Sequence, residues 1–282
     1  MTRTLIAGMA GDEGPYLARL LLALGQTVTA VAAATAATGA THAALVALGI
    51  ADDLATVDAA RGTAGVAAGD YDHVYVLPGA PDAVLDALVA AFAGAPPAAR
   101  LCIAVNLPVT ASSLVRGRRA AALRETGRHA CTAWLDRHDS RLGPPESLAA
   151  MLTMAAWRAA QGNPSPLPSI VDEGPLDWGW TAEYVDALRR MMAAEMPVDR
   201  RIATGHAKDA ATLARHAFAC FGLDANQYLG IVPGAPQDLA ADDPALLPPS
   251  PPPGWSAATW GRDLVKTLAD AAAERVARHA LQ

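Results

Sequence analysis

Lysine is nearly absent from this sequence: Lys208 and Lys266 are the only two among 22 basic residues. Against 28 acidic residues the formal charge is −6. That balance excludes the broad basic face that neutralises nucleic-acid phosphates, so no nucleic-acid partner is expected. Cysteine is scarce as well. Cys102, Cys131 and Cys220 are odd in number and far apart in sequence. They read as reduced core thiols, not as a disulfide framework, and their spacing suits no metal site. Aromatic residues make up only 5%. Alanine supplies much of the 52% apolar fraction, so the core is smaller than that fraction suggests. No apolar run is long enough to span a bilayer, and no membrane is expected. The opening stretch reaches Gly8 and Gly11 too early for a signal-peptide core, which points to a cytoplasmic chain. What is present excludes disorder for most of the chain, because charged residues make up only 18%. A length of 282 residues suits one large domain or two closely joined ones.

Short apolar runs alternate with helical patterns up to residue 135. Strands are expected at Thr4–Gly8, Thr27–Ala32, Leu54–Val57, His73–Leu77, Leu101–Val105 and Ala130–Leu135. Helices are expected at Tyr16–Gly25, around His42–Leu48, at Asp82–Phe92 and at Ser112–Arg124. This alternation predicts an α/β fold, a Rossmann-type parallel sheet with helices on both faces. Beyond Arg137 the pattern changes. Helices are expected at Pro144–Ala160, Thr181–Ala194, Asp209–Phe221 and Leu264–Leu281, with a short strand at Arg201–Thr204. Gly162–Gly179 and Ala235–Gly254 are rich in proline or glycine and read as loop or extended surface. Residues 1–140 are thus expected to form a dinucleotide-binding domain. Residues 141–282 are expected to form mostly a small C-terminal lobe, with some segments packing back on the sheet.

Gly8-Met-Ala-Gly11-Asp12-Glu13-Gly14 joins the first strand to the first helix. Three glycines so spaced allow a tight turn and a close approach of backbone N–H groups to a pyrophosphate, with the helix dipole favouring the charge. Gly8, Gly11, Asp12, Glu13 and Gly14 are therefore the candidate cofactor-binding residues for NADP or NAD. The plainer alternative is a turn and nothing more. The second strand brings no charge to a cofactor ribose, since Ala32–Ala37 is neutral and the next charge is Asp52. Thr35 or Thr38 offers only a hydroxyl there. A second cluster, His138-Asp139-Ser140-Arg141, follows the sixth strand at the carboxyl edge, where open α/β sheets bind ligands. His138 and Asp139 are candidates for acid–base work, and Ser140 and Arg141 for gripping a phosphate or carboxylate. The alternative is a structural corner whose Asp and Ser cap the next helix. Asn106, at the tip of the fifth strand, is the neutral hydrogen-bonding candidate. Arg116, Arg118 and Arg119 read as a solvated face or as a subunit contact.

Leu5–Leu22 resembles the opening of the GDP-mannose 4,6-dehydratases, which are extended short-chain dehydrogenases/reductases. Its Gly-x-x-Gly-Asp-Glu-Gly-Pro-Tyr-Leu is similar to their Gly-x-x-Gly-Gln-Asp-Gly-Ser-Tyr-Leu. Arg137–Gly143 is similar to their Asn-His-Glu-Ser-Pro-Arg-Arg-Gly, and Asp177–Ala187 to their Asp-Trp-Gly-His-Ala-x-Asp-Tyr-Val-x-Ala. Ile202-Ala-Thr-Gly205 matches their Ile-Ala-Thr-Gly, and Gly254-Trp255 with Asp263-Leu-Val265 resembles their closing Gly-Trp and Glu-Leu-Val. The resemblance implies a nucleotide-linked substrate, NADP or NAD, and a homodimer paired through the helices after strands four and five. That the lobe of residues 141–282 is a substrate lobe is an implication of this resemblance alone, as is a scaffold corner at Asp177-Trp178.

The resemblance also implies a Tyr-x-x-x-Lys pair, in which the tyrosine takes a proton while a hydride passes to the cofactor. That pair is missing. Four residues after Tyr16, Tyr71, Tyr75, Tyr184 and Tyr228 stand Leu20, Tyr75, Gly79, Leu188 and Val232. Val109 and Ser113 align with the pair. A valine moves no proton, and a serine holds no fixed positive charge. Two expectations follow. One is an enzyme with non-redox chemistry (an elimination, isomerisation or cyclisation), with His138, Asp139 and Asn106 as its polar groups. The other is a pseudoenzyme serving as a ligand-binding, structural or regulatory subunit.

Overall fold

The structure is a computed structural model that describes residues 1–32, 38–107, 110–143, 147–163, 170–172, 174–233 and 251–272. The chain divides into two compact units. One comprises Met1–Leu135, Tyr184–Ile202 and Ala241–Trp255. The other comprises Asp136–Glu183, Ala203–Ala240 and Ser256–Gln282.

Strand–helix alternation builds the first unit. It runs β1 (Arg3–Ala7), α1 (Glu13–Ala23), β2 (Thr27–Val31), α2 (Thr38–Ala47), β3 (Ala55–Val57) and α3 (Ala59–Ala68). It continues through β4 (His73–Val76), α4 (Asp82–Gly94), β5 (Arg100–Asn106), α5 (Ala111–Glu125) and β6 (His129–Leu135). The second unit opens with β7 (Arg137–Asp139), α6 (Leu148–Ala160), β8 (Ile170–Asp172) and β9 (Trp178–Trp180). The chain then returns to the first unit from Tyr184, with most of α7 (Thr181–Ala193) and β10 (Arg200–Ile202), and the second unit resumes with α8 (Ala210–Ala219), β11 (Ile231–Pro233) and α9 (Gly261–Asp270). Seven strands form one sheet in the order β10-β6-β5-β4-β1-β2-β3. Every pairing in it is parallel. The expected Rossmann-type α/β fold is therefore present. The chain reverses its direction of travel across the sheet between β1 and β4, the place where such sheets bind ligands.

Buried both sides, the central strands are nearly continuous apolar runs, as parallel sheets require. Leu5, Val74, Val76, Leu101, Ile103 and Val105 are almost fully buried with Leu85, Leu88 and Phe92 from α4. The second unit has its own core, in which Leu152, Leu213, Phe218, Leu264 and Leu268 come from α6, α8 and α9. The edge strand β10 is held to β6 by more than its ladder. Arg124 grips Asp199 with both Nη atoms, at 2.6 and 2.7 Å, and Asp199 Oδ1 also accepts from Thr132 N at 2.6 Å.

Several sequence expectations need correction. Residues 59–68 carry Gly62 and Gly65 and were not expected to be helical, yet they form α3. Asp58 accepts from Arg61 N at its start, and Gly69 closes it in the left-handed region at φ 80°. Gly65 is there for space: a Cβ would stand 2.7 Å from the Tyr71 ring. The expected Gly162–Gly179 loop contains β8 and β9, and β9 pairs with β7. Cys220 is exposed at the end of α8, so only Cys102 and Cys131 are core thiols. A hydrogen bond with Cys131, followed by burial, pushes the Cys102 thiol well above its ordinary range. The expectations for Val109, Thr35, most of Ala235–Gly254 and the end of the last helix lie outside the described residues.

His73, Arg100 and His129 stand side by side on β4, β5 and β6. Burial first, then the Arg100 charge, pushes the His129 imidazole from 6.5 down to about 4. The folded chain thus favours the neutral ring, while the unfolded chain protonates it below 6.5. The stabilisation is complete above pH 6.5 and is lost as pH falls toward 4. Burial and Arg100 lower His73 as well, with the same sign. Urea unfolding followed from pH 7 to pH 4 is expected to show falling stability in wild type and a shallower fall in His129→Gln. Equal slopes would refute the assignment.

Candidate functional site

The glycine turn leaves β1 at the carboxyl edge of the sheet, beside the turn that leaves β4. Gly8 has φ 98°, which L side chains rarely adopt, and a Cβ on it would stand 2.8 Å from Ala80 N and 2.9 Å from Leu77 O. Gly14 packs as tightly from the other side, since its Cβ would stand 2.7 Å from Met9 Cα. Two of the three glycines are therefore required by backbone packing within the chain. Gly11 differs. A Cβ there would meet only the Glu13 carboxylate, through Oε2. Glu13 is buried in the first turn of α1, so a carboxylate already lies beside the middle glycine. Asp12 is half-buried and precedes it.

Gly79 completes this arrangement, and sequence reasoning missed it. A Cβ on Gly79 would stand 3.3 Å from both Gly11 N and Gly8 O. The signal was Pro78-Gly79 directly after a strand, a turn dipeptide at a carboxyl edge. Asn106 ends β5 at the same edge of the sheet and is exposed. One helix turn later, Ser113 is tied into the N-terminal cap of α5. Its Oγ accepts from Thr110 N at 2.6 Å, and Thr110 Oγ1 accepts from Ser113 N at 3.1 Å. That is a capping box, which satisfies two otherwise orphaned donors.

The arginine run departs from the solvated face expected of it. Arg116 is nine-tenths buried. Its Nη2 donates to Leu77 O at 3.1 Å, and its Nη1 donates to Ala80 O at 3.0 Å and to Asp82 Oδ1 at 2.8 Å. Arg119 pairs with Asp86 at 2.8 Å. Asp82 and Asp86 are thus engaged within the chain, because α4 and α5 pack side by side, and they are not left for a second copy. Arg118 alone of the three is exposed.

The other candidate residues belong to the second unit. His138 is half-buried on β7, with Nδ1 2.7 Å from Asp136 O. A carbonyl oxygen only accepts, so Nδ1 carries the proton and Nε2 is the basic nitrogen of the neutral ring. Asp139 is fully buried. Its Oδ1 accepts from Ser140 N, and the Ser147 hydroxyl donates to its Oδ2. Ser147 in turn caps α6 by accepting from Ala150 N. Ser140 is buried too, and its Oγ accepts from Leu142 N at 3.0 Å. Arg141 is exposed. The structure thus brings the four together by chain continuity and engages the Asp139 and Ser140 side chains in the local corner.

Two of the family-like motifs meet in this unit. Asp177, from Asp-Trp-Gly, accepts from Thr204 N at 2.8 Å, Gly205 N at 2.7 Å and His206 N at 3.2 Å. The motif residues therefore form a scaffold joint.

Known structures share this architecture closely. A dTDP-glucose 4,6-dehydratase from Bacillus anthracis, in complex with NAD, superposes with a TM-score of 0.76 over 97% of each chain, at 12% identity. The chain has the fold of the nucleotide-sugar dehydratases and epimerases. A UDP-glucose-4-epimerase from Stenotrophomonas maltophila, with bound NAD and formylated UDP-arabinopyranose, matches at a TM-score of 0.71. There 99% of this chain and 100% of that one align, at 16% identity. A UDP-glucose 4-epimerase from Thermotoga maritima, with UDP-glucose, matches at 0.70 over 98% and 100% with 12% identity. Identities this low speak for the fold alone. No protein-family model matches the chain.

Proposed function

We propose that this chain binds a nicotinamide dinucleotide through its pyrophosphate at the Gly8–Gly14 turn. In this reading it acts on a nucleotide-linked substrate by a non-redox step of the elimination, isomerisation or cyclisation kind. The observation that carries the reading is the place of the Gly8–Gly14 turn, between the end of β1 and the start of α1 at the carboxyl edge where β1 neighbours β4, with no backbone atom within 4 Å of the Gly11 Cβ position. A phosphate needs such close access to N–H groups at a helix start. The shared fold supports it, since the dehydratase and the Stenotrophomonas epimerase hold NAD. The proposed subtype is GDP-mannose 4,6-dehydratase-like, which the sequence resemblance supports. His138 Nε2 is the proposed proton carrier, its ring oriented by the Asp136 carbonyl, with Asp139 as the neighbouring carboxylate that fixes the corner. Asn106 offers a neutral hydrogen bond, and Arg141 with Ser140 holds an anionic substrate group. The proposed assembly is a cytoplasmic homodimer through the outer faces of α4 and α5, where Val115 is 47% exposed.

A second reading is a pseudoenzyme that serves as a ligand-binding or regulatory subunit. It draws on two observations. The Glu13 carboxylate lies beside Gly11, where it repels an incoming phosphate. Ser113, aligned with the lost lysine, is spent on a helix cap.

Native mass spectrometry of the purified chain, followed by thermal shift with NAD, NADP and GDP-, UDP- and dTDP-sugars, separates these readings. The expected result is a bound dinucleotide with less than about tenfold preference between NAD and NADP, roughly 1.4 kcal/mol. GDP-mannose is expected to yield no 4-keto-6-deoxy sugar, because no tyrosine in the sequence is followed four residues later by lysine. Keto-sugar turnover would overturn the non-redox reading. Absence of any dinucleotide would overturn the site, and a dinucleotide without any sugar ligand would favour the pseudoenzyme.

A further inference from the structure

Arg116 has a role that neither reading uses. We infer that it is the positioning residue of the glycine turn. Its guanidinium fixes the wall on which Gly8 closes, and so sets how the turn presents its N–H groups to a pyrophosphate. The inference rests on reading that turn as a nucleotide site.

The argument turns on one atom. Leu77 O accepts from Arg116 Nη2 at 3.1 Å and from Ala80 N at 3.0 Å. The same oxygen lies 2.9 Å from the point a Gly8 Cβ would occupy. Arg116 Nη1 holds Ala80 O at the other end of the turn, 3.0 Å away. One planar group thus straps both ends of Leu77–Ala80, and Gly8 and Gly11 pack against that segment. Only arginine spans two carbonyls in fixed geometry; a lysine reaches them as a single flexible point charge. A neutral side chain would leave the buried Ala80 carbonyl short of a donor and Leu77 O with Ala80 N alone.

Charge adds a second argument. Arg116 Nε is buried and has no hydrogen-bond partner among the described residues, an arrangement that costs stability. Its partner Asp82 has a side chain 66% exposed, against 11% for Arg116. Water screens the carboxylate more than the guanidinium, so the pair leaves a positive contribution at the turn, set against the buried Glu13 carboxylate. No lysine occurs in the first unit. A buried cation beside this turn opposes the Glu13 carboxylate and favours an anionic ligand.

Arg116→Met and Arg116→Lys test the inference, with Arg119→Met as the control that breaks a neighbouring ion pair on the same helix. Amide hydrogen exchange of the ligand-free chain is the first readout, and the Kd for NAD by calorimetry is the second. Arg116→Met is expected to speed exchange at Gly8–Gly11 and Ala80 by about tenfold or more, and to weaken NAD by a similar factor. Arg116→Lys should fall between, and Arg119→Met should match wild type on both. Unchanged exchange at the turn in Arg116→Met would overturn the inference. So would equal acceleration throughout β1, β4 and β5, which would mean general packing, or an equal effect from Arg119→Met. If wild type binds no NAD while the turn still loosens as expected, the nucleotide reading fails and the positioning role stands.

Discussion

Gly8→Ala is expected to lower the stability of the first unit by about 3 kcal/mol. Two costs combine. An L side chain at φ 98° is strained by roughly 1–2 kcal/mol. The new methyl also presses on Ala80 N and Leu77 O, which are backbone atoms and cannot swing aside. Overpacking of this sort costs roughly 1–3 kcal/mol. Gly25→Ala is the control, because Gly25 has φ 75° with nothing within 4 Å of its would-be Cβ. It should show the strain without the clash. Thermal melts are expected to shift by roughly 6–12 °C for Gly8→Ala, at about 2–4 °C per kcal/mol. If the two variants lost equal stability, the close approach at Gly8 would not be energetically real.

Phe92→Ala is expected to cost about 4 kcal/mol. Phe92 is fully buried near the end of α4, on the face that carries Leu85 and Leu88. Removing a buried phenyl ring loses transfer free energy and leaves a cavity, together roughly 3–5 kcal/mol. The surroundings are poorly able to refill it. The chain has only three phenylalanines, and much of the adjoining core is alanine, which has no reach. Phe92→Leu keeps most of the volume and should cost roughly 1–1.5 kcal/mol. Urea midpoints with unchanged slopes would measure both. A loss below about 2 kcal/mol for the alanine variant would show that α4 slides inward. Such a slide would be visible at its first residue, Asp82, which holds Arg116.

Which residues would matter at the glycine turn was only half legible. Gly8 and Gly14 stood out because a strand ends and a helix begins around them. Gly79 and Arg116 did not, although both complete the same corner. They lie on other elements, 71 and 108 positions after Gly8, and nothing local to either points back to residue 8. The Arg116 stretch misled for a physical reason. A run of three arginines in a helix places successive residues about 100° apart, so at least one can turn inward while another faces water. Pattern alone does not say which one. Asp139 and Ser140 were legible as polar residues at a sheet edge. Their burial and their partners Ser147 and Leu142 were not.

The sequence by itself determined the class of fold. Alternating apolar runs and amphipathic stretches leave a chain one economical way to bury both, a parallel sheet between helix layers. Glycines after the first strand mark where that sheet turns. The missing Tyr-x-x-x-Lys pair is likewise a property of the sequence, since spacing can be checked residue by residue. Only the tertiary structure decided which elements become neighbours. The strand order that sets β4 beside β1, the closing of Leu77–Ala80 on Gly8, and the strap from Arg116 depend on contacts between residues far apart in the chain. Helix α3 shows the same limit at short range. Its glycines lower local helix propensity by about 1 kcal/mol each, and a cap at Asp58 together with packing on Val31 and Tyr71 outweighs that loss. Local preference is small and additive, while burial is cooperative, so the second overrules the first wherever they conflict.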